Sequence, residues 1–301
     1  VAIEKCPGAL TSTFYYYYDA RILADAARVL GKTADAALYD KLAAEVRAAF
    51  NREFYDPKSG NYGDGSQAAN TFALFLDLPT EKQGGAWGRL FDDIVYKHDS
   101  HLTTGIFGTK YVMELLTRNG ASDLAYDIAV KTDFPSWGFM IANGATTLWE
   151  LWNKREGPSM NSHNHPMFGS VGSWLYKALA GINLAPGSTG FEKVLIVPQM
   201  VRDLTHASGS TVTVRGEVAC AWSRTERTVR VEVTVPAGSE AEIVIPKLGI
   251  RDVKLTEGGL TVWMDGKYHA GAPGVVEAVD KDGALRVKTG GGRYAFFLVG
   301  R

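Results

Sequence analysis

Apolar residues recur every three or four positions from Thr11 to about Gly181, and at every second position beyond it. In the first stretch, Ile22, Leu23, Ala26, Ala27 and Leu30 make one stripe, and Leu38, Leu42, Val46 and Phe50 make the next. Further stripes run through Phe72, Phe75 and Leu76, through Leu90, Phe91, Ile94 and Val95, and through Ile106, Phe107, Tyr111, Val112, Leu115 and Leu116. Leu124 with Ile128 is a short one, and Phe168, Val171, Trp174, Leu175 and Leu179 the last. Each spacing predicts an amphipathic helix that turns one face to a core, about seven or eight in all. Gly31 and Gly120 stand where helix ends favour a residue tolerant of positive φ, so neighbouring helices should pair as antiparallel hairpins.

After "NLAPGSTGFEKV" the period falls to two. In "TVRVEVTV" (228–235), Val229, Val231, Val233 and Val235 share one face. The segments "AEIVIP", "LTVWMDG", "GVVEAVD", "ALRVK" and "RYAFFLV" follow, separated by Gly, Pro and Asp turns. Short strands at this spacing predict an antiparallel β-sandwich. With the boundary at Pro186–Gly187, residues 1–186 form a helical domain and residues 187–301 a β-sandwich domain.

Composition narrows the partners. The chain has 32 Lys and Arg against 33 Asp and Glu, without a basic stripe or an acidic run. That balance argues against nucleic acid and anionic membranes and favours a weakly charged small molecule. Cys6 and Cys220 are too few and too far apart for a disulfide framework or a zinc pattern. No apolar run approaches the roughly 20 residues of a membrane span. Val1–Gly8 contains neither Met nor a signal-peptide pattern, so the natural start is expected upstream and the compartment stays unassigned.

The unusual residues sit between the helices. They fall in "GDGSQAAN" (63–70), "HLTTGIFGT" (101–109), "PSWGFMIANGATTLWELWN" (135–153) and "SMNSHNHPMFGSVGSWLY" (159–176). Stacked hairpins would gather these ends at one mouth, where aromatic faces meet sugar C–H faces and Asn, His and Glu bond hydroxyls. Tyr15–Tyr18, Trp87 and Trp174 read as core packing. His98, His101, His163 and His165 have no metal-ligand spacing and no evident carboxylate or thiol partners, so no metal and no cofactor are expected. Ser159, Ser162 and Ser170 lack a nucleophile-elbow pattern.

Glu150 lies one residue from Trp149 and two from Trp152. A general base in sugar hydrolysis is an ionised carboxylate aimed at water from a partly dry wall, and Trp149 and Trp152 offer that wall. Asn143, Thr146 and Thr147 are within reach in sequence to orient it.

Together, "PSW…GATTLWELW", "SMNSHNHPMFGSVGSWLYKALAGI" and "VLIVPQ", preceded by "GSQAAN" and "HLTTGIFGT" in that order, closely resemble the bacterial α-L-rhamnosidases, inverting glycoside hydrolases. The resemblance runs from about Thr11 to beyond Val235. It implies that the chain is the C-terminal portion of an (α/α)6 catalytic barrel followed by a β-sandwich. It implies removal of terminal α-L-rhamnosyl residues with inversion, with the glutamate of the "TTxWE" motif, here Glu150, as general base. The histidine before "FGSVG" in the family's pattern contributes to the sugar subsite, and here it is His165; Trp137, Trp152 and Asn143 are expected as further substrate contacts from their place in the same stretch. The family's general acid lies in an acidic motif upstream of Thr11, which this chain lacks, since Asp19, Asp25, Asp35 and Asp40 occupy ordinary helix positions. The expected partners are therefore a rhamnose-containing glycoside and the missing N-terminal part of the enzyme, or a partner copy, against the apolar surface of an incomplete barrel. The alternative is a rhamnose-directed lyase or a non-catalytic carbohydrate-binding relative on the same scaffold.

Overall fold

The computed structural model describes residues 3–80 and 85–301, the side chain of Ser159 excepted. The chain divides into two compact units, Val1–Val171 and Gly172–Arg301.

The helical elements are α1 (Gly8–Val29), α2 (Thr33–Phe54), α3 (Gln67–Phe75), α4 (Ala86–Asp92), α5 (Ile106–Arg118), α6 (Ser122–Val130), α7 (Trp137–Ala142) and α8 (Ser170–Trp174). A two-stranded ribbon, β1 (Tyr55–Asp56) with β2 (Asn61–Tyr62), separates α2 from α3. Gly31, at φ +69°, turns the chain between α1 and α2, and Arg28 near the end of α1 pairs with Asp40 near the start of α2. The hairpin is antiparallel: Phe14 near the start of α1 and Phe50 near the end of α2 belong to one core.

The stripe expected on α1 is not the one buried. Ile22, Leu23 and Leu30 are 50%, 45% and 68% exposed, whereas Leu10, Phe14, Tyr17, Ala20, Ala24 and Ala27 face the core. This helix is apolar on two sides, so period alone leaves the choice open. The aromatic side wins because Phe14 packs on Phe72 of α3 at 4.6 Å and on Tyr111 of α5 at 5.3 Å. On α2, Leu38 is likewise exposed while Val46 and Phe50 are buried. Of Tyr15–Tyr18, read as core, only Tyr17 is fully buried and Tyr16 is exposed.

In the second unit the period-2 reading holds along Thr228–Val235 and Gly292–Val299, whereas Ile243, Val244 and Ile245 are buried in succession. A seven-stranded sheet has the order β11 (Lys267–Tyr268), β10 (Leu260–Met264), β9 (Lys254–Glu257), β14 (Gly292–Val299), β7 (Thr228–Val235), β6 (Gly216–Arg224), β5 (His206–Thr213). A five-stranded sheet has the order β12 (Val275–Lys281), β13 (Ala284–Thr289), β8 (Glu240–Pro246), β4 (Lys193–Ile196), β3 (Ile182–Leu184). Pairing is antiparallel except between β4 and β8. Val229, Val231, Val233 and Val235 from one sheet share a core with Ile243, Ile245, Leu285 and Val287 from the other, which makes a sandwich. The sheet begins earlier than the Pro186–Gly187 turn, because Ile182 before it already pairs with Ile196 and enters that core.

Candidate active site

The four loop stretches are tied together by hydrogen bonds inside the first unit. Ser66 caps α3, which brings Gln67 into the interior with no exposed surface. Gln67 Nε2 donates to the His101 carbonyl at 3.1 Å, and its Oε1 accepts the Thr103 N–H at 2.9 Å. This joins "GDGSQAAN" to "HLTTGIFGT". From there, the Thr104 carbonyl accepts the Trp152 indole N–H at 2.7 Å, which reaches the tryptophan-rich stretch. Trp137, at the start of α7, donates its indole N–H to the Phe168 carbonyl at 3.1 Å and so reaches the fourth stretch. Trp152 meets Trp137 edge to face and Phe168 at a tilt, with ring centroids 5.2 and 4.1 Å apart. Buried amides and hydroxyls are costly unless bonded, and here they bond mainly to one another's backbone.

Glu150 lies in the irregular segment after α7, half-buried between the fully buried Trp149 and Leu151. Two backbone bonds align this segment with the histidine-rich loop: Glu150 N–H to the Ser162 carbonyl at 2.9 Å, and His165 N–H to the Leu148 carbonyl at 2.9 Å. The Glu150 carboxylate accepts the Ser162 N–H at 3.1 Å. Among the described residues, no Lys or Arg forms an ion pair with it. The orienting groups are not those expected from sequence proximity. Thr147 donates to the His163 carbonyl and Asn143 to the Phe139 carbonyl, and the carboxylate is held by the backbone of Ser162 instead. No side-chain pattern announces such a partner, because the pairing is made by main chain.

His165 is half-buried at the cap of a short 3-10 turn (Pro166–Gly169), where Nδ1 accepts the Met167 N–H at 3.4 Å. In the neutral ring that arrangement leaves the proton on Nε2, a donor for a ligand hydroxyl. Trp137 and Trp152 are 7% and 2% exposed with their N–H groups taken, so little of either ring is open to a ligand. Asn143 is exposed at the end of α7. The histidine-rich loop thus meets the Glu150 segment directly, while the two tryptophans lie beneath it.

His98 and His101 do have carboxylate neighbours. His101 Nε2 lies 3.0 Å from Asp133, a bond that holds the Asp133 carboxyl below its usual range. His98 lies 3.6 Å from both Asp93, one helical turn earlier, and Glu4, which is remote in sequence. These three could surround a cation, but the Lys97 ammonium is already 3.1 Å from each carboxylate. The cluster reads as a charge-compensated ion-pair network.

Residues 2–179 match the family described as the bacterial alpha-L-rhamnosidase 6 hairpin glycosidase domain. Residues 181–259 match the bacterial alpha-L-rhamnosidase C-terminal domain. The chain belongs to the bacterial alpha-L-rhamnosidase family, as the C-terminal part of its six-hairpin domain followed by a β-sandwich. It is 35% identical over 261 residues to an alpha-L-rhamnosidase of Formosa agariphila, covering 84% of this chain and 28% of that protein. To an alpha-L-rhamnosidase of Streptomyces avermitilis it is 35% identical over 250 residues, 81% of this chain and 24% of that one. Among solved structures, the alpha-L-rhamnosidase from Dictyoglumus thermophilum superposes with a TM-score of 0.87 at 37% identity, over 96% of this chain and 32% of that one. The Streptomyces avermitilis enzyme complexed with L-rhamnose superposes with a TM-score of 0.81 at 32% identity, over 96% of this chain and 26% of that one. The chain therefore spans about a quarter to a third of the length of these relatives.

Proposed function

We propose that the protein to which this chain belongs hydrolyses terminal α-L-rhamnosyl residues with inversion, and that Glu150 is its general base. The observation that carries the reading is the setting of the Glu150 carboxylate. It projects from a rigid aromatic wall, is held by one backbone N–H, and its charge is not neutralised by a cation among the described residues. A base for glycoside hydrolysis needs a carboxylate that is held in place and partly withdrawn from solvent, and a half-buried side chain fixed by one N–H supports that role. His165 supplies a hydrogen-bond donor beside it, and Asn143 lies at the open rim. Trp137 and Trp152 act on substrate from beneath, by holding the segment that carries Glu150.

Inversion requires a second carboxyl group roughly 6.5–9.5 Å from the first, to protonate the leaving oxygen. That acid comes from the rest of the longer enzyme, consistent with the share of its relatives that this chain spans. The same missing part, or a partner copy, covers the apolar side of α1, where Tyr16, Ile22, Leu23, Val29 and Leu30 are all at least 45% exposed. The substrate is a rhamnose-terminated glycoside, a reading supported by the relatives' names and by the L-rhamnose complex of the Streptomyces avermitilis enzyme.

The test is Glu150→Gln in the full-length enzyme, which keeps the shape and removes the base. Turnover of an aryl α-L-rhamnoside should fall by roughly 10²–10⁴. Added azide, taking the water's place, should recover part of the rate and give a β-configured product. Hydrolysis at the parental rate would end the assignment.

A further inference from the structure

Among the described residues, the Glu150 carboxylate has one hydrogen-bond partner, the N–H of Ser162, and that partner sits in a loop without regular secondary structure. Ser162 and Asn164 are exposed, as are the two side-chain bonds joining this loop to the Glu150 segment, Ser162 N–H to the Glu150 carboxylate and Thr147 Oγ1 to the His163 carbonyl. Bonds of that kind are contested by water and hold a loop weakly. The exception is His163. Its ring lies over the buried Trp149 indole, with centroids 5.3 Å apart and planes 30° apart. Its carbonyl accepts the Thr147 hydroxyl. Trp149 is in turn the residue that precedes Glu150. One aromatic contact therefore adds a buried lock to the main-chain bonds that join the loop to the segment carrying the acid.

We propose that His163 is a positioning residue for Glu150: its ring, packed at a tilt on Trp149, fixes the Ser162 N–H that aims the carboxylate. This inference rests on the reading of Glu150 as the base. The ring nitrogens are not what does the holding. Nε2 is buried and has no hydrogen-bond partner among the described residues, a state that costs stability and contributes nothing to the lock. A flat ring of the same breadth without that nitrogen should therefore serve as well or better. The role differs from that of His165, whose Nδ1 is engaged by a backbone N–H and whose Nε2 is free to donate.

The experiment compares His163→Ala, His163→Phe and Glu150→Gln in the full-length enzyme, with an aryl α-L-rhamnoside as substrate and thermal melting as the fold control. For His163→Ala, kcat should fall by roughly 10–100-fold, the cost of a displaced catalytic group, while KM stays within about threefold. His163→Phe should restore kcat to within about threefold of the parent, because the ring is back in place. It should also raise the melting temperature by removing the orphaned nitrogen. A phenylalanine variant as impaired as the alanine one would show that the nitrogen acts directly, and would overturn the proposal. Parental kcat in His163→Ala, with Glu150→Gln impaired, would overturn it while leaving the base assignment intact. Parental activity in Glu150→Gln would instead remove the base assignment on which the proposal stands. If the alanine variant does not fold, the phenylalanine variant decides alone: retained kcat supports the lock and lost kcat refutes it.

Discussion

Replacing Gln67 with leucine tests whether the loop stretches are held together by one buried amide. Gln67 has no exposed surface, and it bonds the His101 carbonyl at 3.1 Å and the Thr103 N–H at 2.9 Å. Both bonded residues are themselves buried, at 8% and 2% exposure, so water cannot replace the lost partner without opening the core. Each stranded backbone group costs about 1–3 kcal/mol, and the leucine returns part of this through apolar burial. The net loss should be about 2–4 kcal/mol. A unit of this size loses roughly 2–4 °C of melting temperature per kcal/mol, so the transition of the helical unit should fall by roughly 5–12 °C in calorimetry. Gln67→Glu adds a check by pH. A buried carboxyl can still accept from Thr103, but it can donate to His101 only when protonated, so its pKa in the fold rises above the unfolded value near 4.3. The penalty is absent below that unfolded value and grows as pH rises toward the folded one. The gap between this variant and the parent should thus widen between pH 4.5 and 7. A leucine variant melting within 1 °C of the parent, or a glutamate variant whose deficit is constant with pH, would refute the account.

Two other outcomes follow from packing. In Gly138→Ala the new methyl would lie 2.4 Å from the Lys131 carbonyl oxygen and 2.9 Å from Thr132 Cα, both backbone atoms with little room to yield. A loss of about 1–3 kcal/mol is expected, measured by denaturant unfolding, with α7 and the loop that follows disturbed first. Cys220 is buried in the sandwich core, where desolvation pushes its thiol up to about 12. It should resist a thiol-specific alkylating reagent at pH 8 in the folded protein and react only on unfolding; prompt labelling would show the strand to be open.

Much of the protein was legible in its sequence because the responsible forces are local. Alternation in "TVRVEVTV" dictates a half-buried strand, since successive side chains point to opposite faces whatever the neighbours are. Helix positions followed from spacing in the same way, and the family resemblance rested on short runs of residues. Which side of α1 is buried was not legible, because Leu23 and Leu30 obey the helical period as well as Phe14 and Ala24 do. Only contact with Phe72 and Tyr111, far along the chain, favours one side. Of the carboxylates beside His98, Glu4 was hidden for a like reason, as it reaches the ring through folding and not through spacing. At the candidate site, the sequence marked Glu150 as an acid among tryptophans, and tertiary structure decided how it is held. Its partner is a main-chain N–H that every residue but proline possesses, so no side-chain pattern could name Ser162 before the two segments met.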